Sequence, residues 1–469
     1  MYSAKSMFNL IMVVIVAVLL AACGSVQPRL NDIYRTEERG APFQPPVIIV
    51  PGIVSSTLVD QQGKEIWFGS IRKLLFSNYE ELALEINPQT LAPKPSKYRP
   101  GILPKSVVGK DFYGPLFKTL EKAGRYKLAK LGDPYTTPER RYYKFSYDWR
   151  YGNEVTAKKL DAFIEQIRRD YNRPNMKVDL IGHSMGGLII RYYMRYGDQD
   201  VLADNDFPVS QAGAKKARRV ILLGSPNLGS VSTLAEIIEG YKVIFGRIPT
   251  ESVITLPSIY QLLPHPLNNW IVTAEGKHLK RDLFNVNLWR RFQWSVFDPK
   301  VIQRIKKRYA SEAEGERRVA LLQDYMHNHL ERARRFVWSL SVMIEDPKYQ
   351  LINFGGNCQP TPARIVVEEV DGESLVRLRP KQIKRPVKGV DYKRLMLEPG
   401  DGRVTKPSML ARDFLDPSKP RHRYSFFPQD YAFFLCEDHI RVTSNINFQD
   451  NLLNVLLEQT REDFMAAQK

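Results

Sequence analysis

The segment Gly-His-Ser-Met-Gly at residues 182–186 constrains this chain more than any other feature of its sequence. A hydrophobic run at 177–181 predicts a buried strand that leads into it, and the apolar spacing of 185–196 predicts a helix that follows it. Glycines on both sides of Ser184 allow a sharp turn that raises the serine hydroxyl above a sheet. The context predicts a nucleophilic Ser184; the alternative is a glycine-rich turn with an inert serine.

Strands and helices alternate along the first half of the chain, which predicts a mostly parallel sheet with helices on both faces. The predicted strands are 47–50, 141–147, 177–181, 219–223, 350–354 and 431–435, and the predicted helices are 113–122, 155–169, 185–196 and 451–459. With a serine at a strand-to-helix turn, this order is typical of the α/β-hydrolase fold.

The domain boundaries follow from where this alternation breaks. Residues 46–239 are predicted to form the first part of the hydrolase core, and 346–469 the second part. Between them, 240–345 has a helical pattern without a notable strand, which predicts a cap over an active site. A β-hairpin excursion is predicted at 364–378, around the Asp-Gly turn.

A nucleophilic serine needs a base and an acid, which follow it in that fold in the order acid, histidine. Of the seven histidines, His439 alone follows a late apolar run and precedes a terminal helix. The alternative for His439 is a histidine of a surface loop. Asp401 lies between two glycines, which allow a tight turn that points its carboxylate inward. The alternative is an ordinary turn that is exposed to solvent. Rival acids are Asp391, Asp413 and Asp438.

The oxyanion donors in this fold are two backbone amides. The amide of Ile53, in the loop after the first core strand, is predicted to be one, with Val54 as its neighbour. The amide of Met185 is predicted to be the other. No His or Cys cluster has metal-binding spacing, so the sequence predicts neither a metal nor a cofactor.

The N-terminus has the pattern of a bacterial lipoprotein signal. An apolar run at 10–22 ends in small residues directly before Cys23, which predicts a signal peptide at 1–22 and lipidation of Cys23. Gly24 then favours the outer membrane of a bacterial envelope, and 23–45 reads as a tether. The alternatives are an ordinary secretory signal with an incidental cysteine, and a short uncleaved anchor.

The net charge of +18 is dispersed along the chain and is not accompanied by a nucleic-acid-binding signature. Anionic lipid headgroups are therefore the better partner for these positive charges. Export places Cys358 and Cys436 in an oxidising compartment, where they either form a disulfide or remain as two buried thiols. Oligomeric state is not indicated by the sequence.

Several motifs follow one another in an order that resembles the lecithin:cholesterol acyltransferase family, which includes lysosomal phospholipase A2 and plant phospholipid:diacylglycerol acyltransferase. The motifs are Val50-Pro51-Gly52, Tyr147-Asp148-Trp149-Arg150, the serine segment at 182–186, Gly224-Ser225-Pro226-Asn227-Leu228-Gly229-Ser230, Gly400-Asp401-Gly402-Arg403-Val404 and His439. The resemblance extends from about Pro46 to Leu457, and it favours Asp401 as the acid.

The resemblance also implies roles for aromatic residues. Trp149 is expected to line an acyl pocket, and Asp148 and Arg150 are expected to form a buried structural ion pair. Trp67 and Phe68 lie in 56–104, a stretch without a clear period, and together with Phe76 they look exposed. Trp67 and Phe68 are candidates for membrane contact, although the cysteines that fix this loop by a disulfide in the family are missing here. The family's usual Gly-Thr-Pro is Gly-Ser-Pro at 224–226, and the usual Thr-Val-Pro after the acid motif is absent.

The implied activity is hydrolysis or transfer of ester-linked acyl chains of phospholipid-type substrates through an acyl-enzyme. A membrane lipid is then the substrate partner, and the choice between water and an acceptor alcohol stays open. The alternatives are an esterase for non-lipid acyl esters and an inert lipoprotein that binds envelope components.

Overall fold

The computed structural model describes residues 27–34, 43–70, 72–73, 77–107, 110–243, 246–412 and 427–459. The predicted signal peptide, Cys23, Phe76 and the rival acid Asp413 lie outside these residues. None of the helices within the described ranges is both long enough and apolar enough to cross a bilayer.

The central sheet is built from seven parallel strands. They are β1 (Val47–Val50), β2 (Lys127–Leu128), β3 (Arg141–Lys144), β4 (Val178–His183), β5 (Ala217–Leu223), β6 (Gln350–Gly356) and β7 (Tyr431–Leu435). Their spatial order is β7-β6-β5-β4-β1-β3-β2, and every neighbouring pair is parallel. Because parallel strands end at the same edge, the loops after β1, β4, β5, β6 and β7 meet there.

Alternate side chains of the inner strands pack into two separate hydrophobic cores, one on each face of the sheet. Ile48 and Leu180 belong to one core, whereas Ile49 and Ile181 belong to the other. Both faces are therefore covered, which explains why β1, β4 and β5 are buried along their whole length and are rich in apolar residues.

Helices cover the two faces as expected. The main helices are α1 (Gly114–Lys122), α2 (Asn153–Asp170), α3 (Met185–Tyr196), α4 (Val231–Glu239), α5 (Pro299–Lys306), α6 (Glu312–Ser339) and α7 (Ile446–Leu457). Helices α2 and α3 contribute to the first core, while α1 and α7 contribute to the second. The predicted fold class, a mostly parallel sheet between helices of the α/β-hydrolase type, is confirmed.

Short helices, 3₁₀ turns and short strands surround this core. The short helices are Leu30–Ile33, Thr250–Val253, Pro257–Tyr260, Val286–Arg291, Tyr392–Met396 and Lys406–Met409, and the 3₁₀ turns are Glu80–Leu82, Ala214–Lys216, Ser295–Phe297, Pro380–Gln382 and Arg441–Ser444. The short strands are Leu58–Val59, Glu65–Trp67, Arg99–Pro100, Ser106–Val107, Lys110–Asp111, Tyr241–Lys242, Arg247–Ile248, Ile271–Thr273, Gln359–Pro362, Ile365–Val370, Glu373–Arg377 and Leu397–Gly400.

The region 240–345 is mainly helical, but it also contains strands, contrary to the prediction. Ile271–Thr273 pairs in parallel with the first strand of the predicted hairpin, Ile365–Val370, which pairs in turn with Glu373–Arg377. A three-residue strand has no detectable period of its own and is stabilised by a partner that is distant in sequence. The hairpin itself occurs where it was predicted.

The expectation that Trp67 and Phe68 are exposed is wrong. Trp67 is 1% exposed, and its ring stacks on that of Phe68 and meets the edge of Trp149. The Trp67 indole N–H donates to the carbonyl of Val54 at 2.7 Å. These aromatics are covered because their loop folds back over the end of β1, a tertiary contact that local sequence does not reveal.

Candidate active site

Ser184 occupies the turn between β4 and α3 in a strained backbone conformation. Its φ is 52° and its ψ is −122°, a left-handed φ that a residue with a Cβ rarely adopts. The Ser184 amide donates to the carbonyl of Leu223 on β5 at 2.8 Å, which fixes the turn to the neighbouring strand. The serine is thereby held at the edge where the strand ends converge.

Two glycines allow the backbone around this turn to pack closely. A Cβ at Gly186 would lie 2.1 Å from the carbonyl oxygen of Val50, so only glycine fits there. A Cβ at Gly52 would lie 3.0 Å from the Cβ of Ser184. The loop after β1 therefore passes directly beside the serine.

The structure brings Ser184, His439 and Asp401 together in one hydrogen-bonded row. His439 Nδ1 lies 2.7 Å from Asp401 Oδ2, and His439 Nε2 lies 2.9 Å from Ser184 Oγ. An ionised carboxylate only accepts hydrogen bonds, so Nδ1 carries the proton and Nε2 accepts from the serine hydroxyl. This is the geometry that a serine nucleophile and its base require.

Asp401 is fixed by its own backbone surroundings and is 2% exposed. Its Oδ1 accepts from the amides of Arg403, at 2.9 Å, and Val404, at 2.7 Å. The amide of His439 donates to the carbonyl of Asp401 at 2.9 Å, so acid and base are tied through the backbone as well. This leaves Oδ2 directed at the imidazole.

The rival acids that the structure describes serve other purposes. Asp391 accepts from the first amides of the helix Tyr392–Met396 and so caps it. Asp438 pairs with Arg441 at the surface. Neither carboxylate is hydrogen-bonded to His439 in the structure.

His183 and Tyr113 form a buried network behind the row, and sequence reasoning did not assign a role to either. His183 Nε2 donates to the carbonyl of His439 at 2.9 Å, so its Nδ1 accepts the Tyr113 hydroxyl at 2.8 Å. Tyr113 in turn accepts from the amide of Gly52 at 3.1 Å. Burial lowers the pKa of His183 to about 3 and raises that of Tyr113 to about 12, so both stay neutral at ordinary pH.

The predicted oxyanion residues flank Ser184. Ile53 follows Gly52 and lines the cavity above the serine. Met185 is the first residue of α3, and amides in the first turn of a helix have no acceptor within the helix. Both positions fit the fold's usual donors, which lie after the first strand and after the nucleophile.

A cavity of about 440 Å³ opens above Ser184 and His439. Trp67 and Phe68 line it, so they contact the cavity rather than the exterior. Trp149 does not line the cavity, contrary to expectation, because it lies behind Trp67 with its N–H on the carbonyl of Ser56. Asp148 and Arg150 form the expected ion pair, 2.7 Å apart and buried.

Cys358 and Cys436 are joined in a disulfide, not left as two free thiols. They follow β6 and β7, and a backbone bridge connects the neighbouring Gln359 to Asp401. His439 lies only three positions beyond Cys436. The bond therefore joins the ends of β6 and β7 close to Asp401 and His439.

Within the parts of the chain that the structure describes, no three His, Cys, Asp or Glu side chains lie close enough together to hold an ion. His329, which lies two positions after His327 in α6, is buried and hydrogen-bonded to the carbonyl of Leu91.

The seven-stranded parallel sheet, with its serine at the turn after β4, defines an α/β-hydrolase. The family model of lecithin:cholesterol acyltransferase matches residues 129–314. This match covers less than half of the chain, and it agrees with the resemblance drawn from the motifs. The match includes Ser184, whereas Asp401 and His439 lie beyond it.

Solved structures with similar folds include a chain of the Tle4–Tli4 complex, at 15% identity and a TM-score of 0.50, covering 88% of this chain and 98% of that one. Staphylococcus hyicus lipase has 14% identity and a TM-score of 0.35, with 92% and 99% covered. Mature Bacillus licheniformis lipase BlEst2 has 12% identity and a TM-score of 0.33, with 90% and 95% covered. Among curated proteins, no sequence matches significantly. The fold and the family domain support an acyl hydrolase or acyltransferase acting on lipid esters.

Proposed function

We propose that this chain is a serine-dependent hydrolase or acyltransferase of phospholipid-type substrates, with Ser184 as nucleophile, His439 as base and Asp401 as orienting acid. The observation that carries the proposal is the contact of 2.9 Å between Ser184 Oγ and His439 Nε2, at the floor of a cavity lined in part by aromatic side chains. The hydroxyl, its base and a space for an acyl chain occur at one place.

The first half of the reaction forms an acyl-enzyme. His439 Nε2 takes the proton of Ser184 as the serine oxygen bonds to the ester carbonyl carbon, and the carbonyl electron pair moves onto its oxygen. The amides of Ile53 and Met185 donate to that oxyanion, and Asp401 stabilises the imidazolium. When the ester C–O bond breaks, His439 returns the proton to the leaving alkoxide.

The second half repeats these steps with a different nucleophile. His439 takes a proton from water or from an acceptor alcohol, whose oxygen attacks the acyl carbon. Breaking the bond to Ser184 Oγ releases a fatty acid in the first case and a new ester in the second. Trp67 and Phe68 exclude water from one side of the cavity and contact the acyl chain.

The substrate is tested by mass spectrometry of total bacterial lipid after incubation with wild-type protein and with Ser184→Ala. We expect a phospholipid to lose an acyl group with the wild type only, and the products to show whether water or an alcohol receives it. Ser374→Ala, at a half-buried hairpin position that does not line the cavity, is the control and should behave as wild type. Turnover of a soluble monomeric ester without turnover of any lipid would favour the non-lipid esterase instead.

We further propose that Cys23 carries a lipid that anchors the chain to a bacterial membrane, since small residues precede it directly. A single acyl chain anchors weakly, so the dispersed positive charge of the chain is expected to add to binding at an anionic surface. Metabolic labelling with an alkyne fatty acid in a bacterial host should mark wild type and not Cys23→Ser. Labelling that persists in Cys23→Ser would contradict the anchor.

A further inference from the structure

The cavity above Ser184 is lined by two unlike groups of side chains. One group is apolar and comes from the loop after β1, with Ile53, Trp67 and Phe68 as its largest members. The other combines polar and charged side chains with Tyr241, Val243 and Val404, and it comes from α4, the segment 241–243 after it and the loop after Asp401. Its charged members are Glu236, Lys242 and Arg403. An acyl chain fits the first group, so the second is available to the polar part of a substrate.

Arg403 is held rigidly beside the reacting groups. Its amide donates to Asp401 at 2.9 Å, and its carbonyl accepts the hydroxyl of Ser230, the N-cap of α4, at 2.6 Å. Its guanidinium forms an ion pair with Glu236. Because the backbone on which Arg403 sits also positions the acid, its charge has a fixed place relative to the ester that Ser184 attacks.

The ion pair occupies the carboxylate of Glu236 but leaves other N–H donors on Arg403, which lines the cavity. The Arg403 side chain is 44% exposed and that of Glu236 only 11%. A guanidinium has several N–H donors, and within the described residues one of them is used, by Glu236. Burial raises the pKa of Glu236, and Arg403 opposes this shift. Coulombic attraction to Glu236 raises the pKa of Arg403, so the guanidinium stays charged.

The charges of this lining sum to a net positive value. The positive charge of Arg403 compensates the negative charge of Glu236, and the exposed Lys242 adds a further positive charge. Among the described lining residues no second carboxylate remains to pair with the cation of a choline or ethanolamine headgroup. A phosphate group whose negative charge is not compensated within its own headgroup can therefore bind to both the guanidinium of Arg403 and the ammonium of Lys242.

We infer that Arg403, supported by Lys242, selects lipids with a net anionic phosphate headgroup over zwitterionic and uncharged lipids. This inference rests on the proposed function, because the headgroup reaches Arg403 only when the ester of the same lipid lies at Ser184. Arg403 is thus a specificity-determining residue that contacts substrate, and its guanidinium binds the phosphate by charge-assisted hydrogen bonds.

The test compares kcat/KM for phosphatidylglycerol, phosphatidylcholine and diacylglycerol with identical acyl chains, each diluted in micelles of an uncharged detergent. Wild type should prefer phosphatidylglycerol. The doubly neutral variant Glu236→Gln/Arg403→Gln, which keeps a polar pair in place, should lower the ratio of phosphatidylglycerol to diacylglycerol by about tenfold, the value of one charge-assisted hydrogen bond. Lys242→Gln, an exposed change that does not threaten folding, should lower the same ratio severalfold.

Lys118→Gln removes one positive charge from the exposed side of α1 and is the control for net charge; it should leave the ratio unchanged. The inference is overturned if wild type turns over all three lipids equally, if it prefers phosphatidylcholine, or if the variants lower all three rates in parallel. Failure of the proposed function looks different, because a wild type that lacks serine reactivity has no activity on any lipid.

Discussion

At the scale of single residues, the site depends on side chains that hold the backbone as much as on those that react. The His183 ring holds the carbonyl of His439, and the Tyr113 hydroxyl joins that ring to the amide of Gly52. Gly52 lies directly before Ile53, the proposed oxyanion donor. One buried network thus fixes the base and the oxyanion loop relative to each other.

Tyr113→Phe removes the hydroxyl that joins the two ends of this network. We expect kcat to fall by about tenfold with KM changed less than about twofold, since a hydrogen bond of roughly 1 kcal/mol that positions reacting groups is lost along with some oxyanion alignment. Steady-state kinetics on a lipid ester provide the measurement. Tyr113 is a positioning residue, so the split between kcat and KM is the diagnostic readout.

Tyr142→Phe is the matched control for this prediction, because its hydroxyl donates to Glu121 at 2.7 Å and is not part of the network. It should leave kcat close to the wild-type value. A Tyr113→Phe protein with normal kcat, or one whose loss of activity equals its loss of folded fraction, would show that the network is only structural.

The sequence predicted most of the site at this scale, since Ser184, Asp401 and His439 each sit in a local pattern that marks a turn or a strand end. Tyr113 has no such mark: it precedes an ordinary helix, and its role arises from a contact with a residue 70 positions away. Trp149 was placed in the acyl pocket because its motif is distinctive, but packing put Trp67 in front of it.

At the scale of elements, the strands and helices that have a clear hydrophobic pattern of their own were predicted correctly. Short strands that form only by pairing with a distant segment were missed. β1 and β4 are buried at every position and rich in apolar residues because both faces of the sheet are covered. Ile271–Thr273 and Leu58–Val59 are too short to show a period, and they exist through partners elsewhere in the chain. The disulfide between the ends of β6 and β7 was one of two open alternatives, because spacing in sequence does not define distance in space.

The long helix α6, which lies within the predicted cap, carries a buried histidine that makes folding depend on pH. His329 Nε2 donates to the carbonyl of Leu91 at 3.2 Å, and burial lowers its pKa from 6.5 to about 4. Below pH 6.5 the unfolded chain therefore binds a proton that the folded chain does not bind. The unfolding free energy should fall as the pH drops from 6.5 towards 4, by at most about 1.4 kcal/mol per pH unit for this one group.

His329→Gln retains an N–H donor and removes the titration, so its unfolding free energy should vary less between pH 6.5 and pH 4.5 than that of wild type. Urea denaturation at several pH values measures the difference. His327→Gln, exposed on the same helix, is the control and should follow the wild-type curve. Parallel curves for wild type and His329→Gln would contradict the assignment; His183, whose pKa is lowered in the same direction, contributes equally to both proteins.

At the scale of the whole molecule, the site is complete only when distant parts of the chain meet. The range that the family model matches, 129–314, includes Ser184, whereas Asp401 lies between β6 and β7 and His439 follows β7, both after the predicted cap in sequence. The sequence predicted this arrangement through chain order, because the fold fixes where acid and base follow the serine. It did not indicate the lining of the cavity, which is assembled from at least three separate segments.

The central claim is that Ser184 is the nucleophile, and covalent labelling with a fluorophosphonate tests it most directly. After proteolysis, mass spectrometry should locate the phosphonyl adduct on Ser184 in the wild type. Ser232→Ala, which removes another serine of the same cavity, should label as wild type does, whereas Ser184→Ala should not label and His439→Ala should label far more slowly. An adduct on any other residue of the wild type, or undiminished labelling of Ser184→Ala, would contradict the account.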